Sequence, residues 1–181
     1  FFNEKTQKID IKESEKLIFP RYHQLNLIKN FRRQIKKDGV GNNYLVQHTT
    51  GSGKSYSIGW LSHTLTSLYQ KDGDTKRMFD SIIVVTDRKV LDNQLQKTID
   101  DLKKNKGVVY PVEKGSSDLK KFLESGKDII ISTIQKFPQI SDTISSLGDK
   151  RFAVIIDEVH SSQSGQLSKD CLLYTSDAAD E

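Results

Sequence analysis

Between Tyr22 and Lys37, the apolar residues Leu25, Ile28, Phe31 and Ile35 recur at intervals of three and four, with Lys29, Arg32, Arg33, Lys36 and Lys37 between them and Gly39 beyond. That spacing predicts a helix with an apolar inner side and a basic outer side, stopped by the glycine. Tyr44-Leu45-Val46 is a short apolar run that predicts a strand leading into a glycine-rich turn, after which Ile58, Leu61, Leu65 and Leu68 mark a second helix facing a core. Beyond a polar loop from Gln70 to Lys76, Ser81-Ile82-Ile83-Val84-Val85-Thr86 is a continuous β-branched run of the kind buried on both faces of a parallel sheet. Val90, Leu91, Leu95, Ile99 and Leu102 predict the helix that follows it. Val108-Val109-Tyr110, Asp128 to Ser132 and Phe152 to Ile156 predict three more strands, with a short helix from Asp118 to Glu124. Strands alternating with helices predict an α/β fold with a doubly wound, mainly parallel sheet.

Composition narrows the class. The chain has 181 residues, 28 Lys+Arg against 24 Asp+Glu, 35% hydrophobic residues and one Cys, which suits one ordinary α/β domain. It has no apolar run of about 18 residues, and Phe1-Phe2-Asn3-Glu4-Lys5 lacks the order of a secretory leader, so membrane-spanning and secreted readings fall away. A single Cys excludes a disulfide scaffold.

The first residue is Phe and the sole Met is Met78, so the chain reads as a piece of a longer protein, with residues 1–18 a linker from an upstream domain. The last eleven residues, Cys171 to Glu181, resemble the conceptual translation of a transposase-type sequencing adaptor and are set aside as non-native. Without their three acids, 28 bases face 21 acids, a balance of +7 that suits a polyanionic partner.

Two segments carry candidate chemistry. His48-Thr49-Thr50-Gly51-Ser52-Gly53-Lys54-Ser55 lies where the first predicted strand gives way to a helix, and there backbone amides and a helix N-terminus can cradle phosphate. Gly51 and Gly53 let the backbone come close to phosphate oxygens, Lys54 can reach the β- and γ-phosphates, and the Ser55 hydroxyl can ligate Mg²⁺. The strict pattern G-x-x-x-x-G-K-[ST] fails at its first position, where His48 stands. Asp157 and Glu158 close the apolar strand Phe152 to Ile156, at the rim where α/β sheets bind ligands. Beside a phosphate loop, Asp157 would hold Mg²⁺, Glu158 would orient or deprotonate the attacking water, and His160 would sense the γ-phosphate. Each segment alone also has a plain reading, a tight turn for the first and a surface turn for the second.

Together, Gly51 to Ser55 and Asp157-Glu158-Val159-His160 resemble motifs I and II of the D-E-x-H branch of superfamily 2 nucleic-acid motors. More narrowly, five segments resemble the R (motor and restriction) subunit of type I restriction endonucleases: Phe19 to Gln24, Tyr44 to Trp60, Val84 to Asp92, Ile131 to Phe137 and Asp157 to Gly165. The resemblance covers residues 19–170, and Val159 stands where that family more commonly has Ala. It implies a RecA-like P-loop lobe that binds ATP and Mg²⁺, with Arg21 and Gln24 recognising adenine. Thr86, Asp87 and Arg88, and then Ser132, Thr133, Gln135 and Lys136, would be motifs that track DNA. Without the resemblance, a Gln at the head of a basic helix such as Gln24 is more often a solvated residue, and Asp87 and Thr133 are equally helix caps.

The resemblance also implies that hydrolysis in the intact protein drives translocation along double-stranded DNA toward methylase and specificity subunits before cleavage, in the cytoplasm of a bacterium or archaeon. The second lobe, its arginine and the nuclease domain would lie outside this chain, which alone would hydrolyse little ATP. Two other readings stay open: another D-E-x-H motor acting on DNA or RNA, and a phosphate-loop binding module or small-molecule kinase.

Overall fold

The computed structural model describes residues 2–3, 8–9, 18–71, 73–86, 95–99, 101–102, 108–112, 115–136, 147–148 and 150–157. β1 (Phe2–Asn3) and β2 (Lys8–Ile9) form a small antiparallel pair. The main body contains α1 (Tyr22–Asp38), α2 (Lys54–Thr66), β3 (Ser81–Thr86), a helical segment at 95–99, β4 (Val109–Pro111), α3 (Ser116–Glu124), β5 (Ile129–Thr133), a 3₁₀ turn (Ile134–Lys136) and β6 (Phe152–Ile156).

The four longer strands make one all-parallel sheet in the order β4-β5-β3-β6. β3 lies between β5 and β6, which is why its six residues are all buried. β4 is an edge strand, a place that tolerates Pro111. Strand side chains alternate between two cores. Ile82, Val84, Ile129 and Ile131 pack with Ile58, Leu61 and Leu65 of α2, with Ile35 of α1, and with Leu95 and Ile99. Ile83, Val85 and Ile130 pack on the other face with Leu119 and Leu123 of α3. The sheet is therefore covered on both faces, as the strand–helix alternation predicts. Ile82, Ile129, Ile130 and Ile131 are wholly excluded from solvent, each burial contributing about 1.5–3 kcal/mol.

The starts of the strands are tied by a polar cluster. Arg77 Nη1 donates to Asp128 Oδ1 at 2.6 Å and to Thr66 O at 3.2 Å. The Arg151 amide donates to Asp80 Oδ2 at 2.7 Å, and its guanidinium to Arg77 O at 2.7 Å. This cluster joins the segments leading into β3, β5 and β6, at the end of the sheet away from Asp157.

Two features differ from the sequence reading. Tyr44-Leu45-Val46 is not a strand: residues 42–49 run without strand pairing, and Leu45 is 89% exposed. A strand exists only through a hydrogen-bonded neighbour, and among the described residues β6 pairs with β3 alone, so nothing flanks this tripeptide. Tyr44 instead leans on Phe31, ring centroids 5.3 Å apart, and donates its hydroxyl to Asp38 Oδ2 at 3.1 Å. Burial and this acceptor both raise the Tyr44 pKa above its ordinary value.

The inner stripe of α1 also differs. Ile35 is buried and Phe31 packs against the core, but Leu25 is exposed and the polar Gln24 takes an inner place at 3% exposure. Lys29, Arg32, Arg33 and Lys37 lie on the exposed side.

Candidate active site

The parallel strands put their carboxyl ends at one rim. Thr86 pairs with Thr133, and Val85 with Ile156. The amide of Asp157 donates to Val85 O at 2.9 Å, which extends the ladder by one residue and carries the Asp157 carboxylate to the edge of the sheet.

Residues Thr50 to Ser55 form the turn into α2. Gly51 and Gly53 both have positive φ, +76° and +81°, where a side chain is strained. At Gly53 space is also short, since a Cβ would lie 2.9 Å from Gln24 Nε2. Ser52 N–H donates to Thr49 O at 3.2 Å and closes the turn. Lys54 and Ser55 open α2, and the N-terminal end of a helix presents positive partial charge to the same space. Thr50 and Gly51 are exposed, while Ser52, Gly53, Lys54 and Ser55 are half-buried.

Lys54 Nζ lies 3.2 Å from Asp157 Oδ1, with side-chain exposures of 37% and 10%. The two segments singled out by the sequence thus meet at one point. The contact is an ion pair without hydrogen-bond geometry, and among the described residues Asp157 Oδ1 receives no hydrogen bond. A buried carboxylate oxygen with an ammonium beside it, close to the Ser55 turn, offers the hard oxygen chemistry that Mg²⁺ takes.

Gln24 connects α1 to this turn. Its Oε1 accepts from Arg21 N–H at 2.8 Å and its Nε2 donates to Gly53 O at 2.9 Å. The amide is thus engaged at both ends within the chain, and a purine would have to compete for it. Arg21, beside it, is exposed and caps α1.

Two histidines that spacing alone leaves as ordinary surface or core residues also reach the turn. His23 Nε2 lies 3.0 Å from Ser52 O, and His48 Nδ1 lies 3.1 Å from Ser52 Oγ. The signal in the sequence was His48 itself, standing where the strict pattern has glycine. Burial, followed by the charges of His23 and Lys54, lowers the His48 pKa below 6.5.

The other candidate positions separate by burial. Thr86, Ser132 and Thr133 are buried at the strand ends, with Ser132 Oγ 3.4 Å from Thr133 O. Lys136 directs its ammonium to Val112 O, and Gln135 is exposed. Asp87, Arg88, Glu158 and His160 lie outside the described residues.

Residues 23–177 match the SWI2/SNF2 ATPase family. The chain is similar to the endonuclease subunit of a type I restriction enzyme of Staphylococcus aureus strain COL, 27% identical over 164 residues, which are 88% of this chain and 16% of that protein. A subunit of the same description from Staphylococcus saprophyticus is 26% identical over 157 residues, 84% of this chain and 16% of its own. A protein named as the C-terminal part of such a subunit in Mycoplasma pneumoniae is 33% identical over 134 residues, 69% of this chain and 59% of its own. The chain therefore spans about 16% of the length of the staphylococcal relatives.

Proposed function

Because the chain belongs to the SWI2/SNF2 ATPase family, we propose that it is the ATP-binding RecA-like lobe of a DNA-translocating type I restriction subunit. The observation that carries this reading is the approach of Lys54 to Asp157 at 3.2 Å, a cation and a carboxylate from distant parts of the sequence at the carboxyl rim of a parallel sheet.

In this reading the amides of the Thr50–Gly53 turn and the start of α2 hold the β- and γ-phosphates. Lys54 exchanges the Asp157 carboxylate for phosphate oxygens. Ser55 Oγ and the Asp157 carboxylate would hold Mg²⁺, which when bound would supply positive charge against the phosphoryl oxygens. Glu158 orients the attacking water and accepts its proton, and His160 senses the γ-phosphate. Arg21 and Gln24 border the adenine, with Gln24 yielding one of its internal bonds to read it.

In the longer protein, hydrolysis drives movement of double-stranded DNA toward methylase and specificity subunits in the cytoplasm. The strand-end segments Thr86 to Arg88 and Ser132 to Lys136 contribute the DNA track. Thr86, Ser132 and Thr133 lie within the sheet, so their part is to shape the backbone of the rim, and Gln135 is the exposed group of the second segment.

Titration of the chain with a fluorescent ADP, with and without Mg²⁺, tests the nucleotide site. Wild type is expected to bind in a Mg²⁺-dependent way, and Lys54→Ala to lose at least about tenfold in affinity, or about 1.4 kcal/mol. Equal binding by the two proteins would remove Lys54 from the site and with it the reading.

A further inference from the structure

Ser52 is held by three of its own groups. Its amide donates to Thr49 O, its carbonyl accepts from His23 Nε2–H, and its hydroxyl meets His48 Nδ1. The two imidazoles come from different parts of the fold, His23 from the first turn of α1 and His48 from the segment before the turn. Their rings meet edge-on, centroids 6.1 Å apart at 63°. This arrangement brings two titratable rings to the middle residue of Gly51-Ser52-Gly53, the turn to which polyphosphate is assigned above.

Among the described residues, the charges acting on His48 have one sign. α1 contributes His23, α2 begins with Lys54, and the carboxylate at the end of β6, Asp157, is paired with Lys54. Protonating His48 in the free protein therefore places a cation beside cations in a partly dry setting. A polyphosphate on the turn reverses that balance.

We propose that His48, braced through Ser52 and His23, is part of the polyphosphate site and gains a proton when nucleotide binds, so that affinity rises as pH falls. The inference rests on the phosphate-loop reading of residues 50–55. The sign follows from linkage. A group with a lower pKa in the free state than in the bound state takes up a proton on binding. The gain in affinity is complete below the free value and vanishes above the bound one. The free value lies below 6.5, so the gain is fully present only on the acidic side of that value and fades as pH rises through the bound one.

The test is calorimetric titration of the full chain with Mg²⁺-ADP from about pH 6 to 8, in pairs of buffers with different protonation enthalpies, which counts protons taken up. The reference is His48→Asn, whose amide can still reach Ser52 Oγ but does not titrate. It also subtracts the phosphate group of ADP, whose own pKa is near about 6. Across this pH range the extra uptake by wild type over the variant is expected to peak at about 0.3–0.5 proton, the amount that a rise of half to one pKa unit gives. Wild-type affinity is expected to gain about 3- to 10-fold more between about pH 8 and pH 6, tenfold being the limit for one pKa unit. Equal proton uptake by the two proteins would overturn the inference while leaving the nucleotide site standing. If wild type does not bind Mg²⁺-ADP at all, both readings fall. Should His48→Asn not fold, a ¹⁵N-imidazole titration of wild type answers the same question: a His48 pKa that rises with Mg²⁺-ADP supports the inference, and one that stays put refutes it.

Discussion

Replacing Gly53 by Ala tests the contact between α1 and the turn at residues 50–53, and two separate costs can be worked out for it. The first is backbone strain. Gly53 sits at φ +81°, and placing Ala there costs about 1–2 kcal/mol. Stiffening of the unfolded chain offsets about 0.4–1 kcal/mol of that cost. The second is the collision of the new methyl with Gln24 Nε2 at 2.9 Å. Gln24 cannot simply swing away, because it is 3% exposed and its amide is held at 2.8 Å by Arg21 N–H and at 2.9 Å by Gly53 O. Displacing it leaves a buried donor unpaired, at about 1–3 kcal/mol.

The sum is about 1.5–4 kcal/mol, or a fall of roughly 3–16 °C in melting temperature for a chain of this size. Gly51→Ala isolates the second cost. Its φ is +76° but nothing lies within 4 Å of where the new methyl would stand, so only the net backbone cost of about 0.5–1 kcal/mol applies. Thermal unfolding followed by circular dichroism on both variants, on Gln24→Ala and on Gln24→Ala/Gly53→Ala gives the answer. The double variant is expected to show a coupling of about 1–3 kcal/mol between the two positions. Equal losses for Gly51→Ala and Gly53→Ala, with no coupling, would mean that Gln24 is not locked against the turn.

Other expectations follow from the same geometry. Lys150 donates to the carbonyls of Leu123 at 2.9 Å and Glu124 at 2.6 Å, capping the end of α3, so Lys150→Met should cost about 1 kcal/mol and roughly 2–4 °C in melting temperature. Arg77→Ala removes the 2.6 Å contact to Asp128 and the link to Thr66; because both charged groups are more than a third exposed, the loss in a urea titration should be only about 1 kcal/mol, with the slope unchanged. In the full-length protein, Glu158→Gln should abolish most DNA-stimulated ATP hydrolysis while nucleotide still binds, and surviving turnover would take the water-activating role away from Glu158.

Much of the fold is legible in the residues themselves. The runs at Ile82 to Val85, Ile129 to Ile131 and Phe152 to Ile156 carry β-branched or apolar side chains at every position, a pattern that only a strand covered on both faces can bury. In α2 and just beyond it, Ile58, Leu61, Leu65 and Leu68 are spaced for one helical face, and all are buried. Periodicity is a local property, so it survives reading without coordinates. The glycine turn before Lys54 and the carboxylate at Asp157 were likewise visible, because a Gly-rich turn ending in Lys and an acid after an apolar strand are compositional facts.

Contacts between distant segments were decided elsewhere. Tyr44-Leu45-Val46 has the composition of a strand, but a strand needs a neighbour, and among the described residues none pairs with it. Leu25 fits the apolar period of α1 yet lies outside, while Gln24 goes inward because the turn at Gly53 offers its amide an acceptor. His23 and His48 carry no spacing that links them; only the packing of α1 beside the turn brings both to Ser52. The sequence by itself determined which segments repeat with helical or strand period and which residues could carry charge to phosphate. Tertiary structure decided which of those segments found partners and where each polar group found its hydrogen bond, because pairing energies depend on distances between residues that the chain's order does not set.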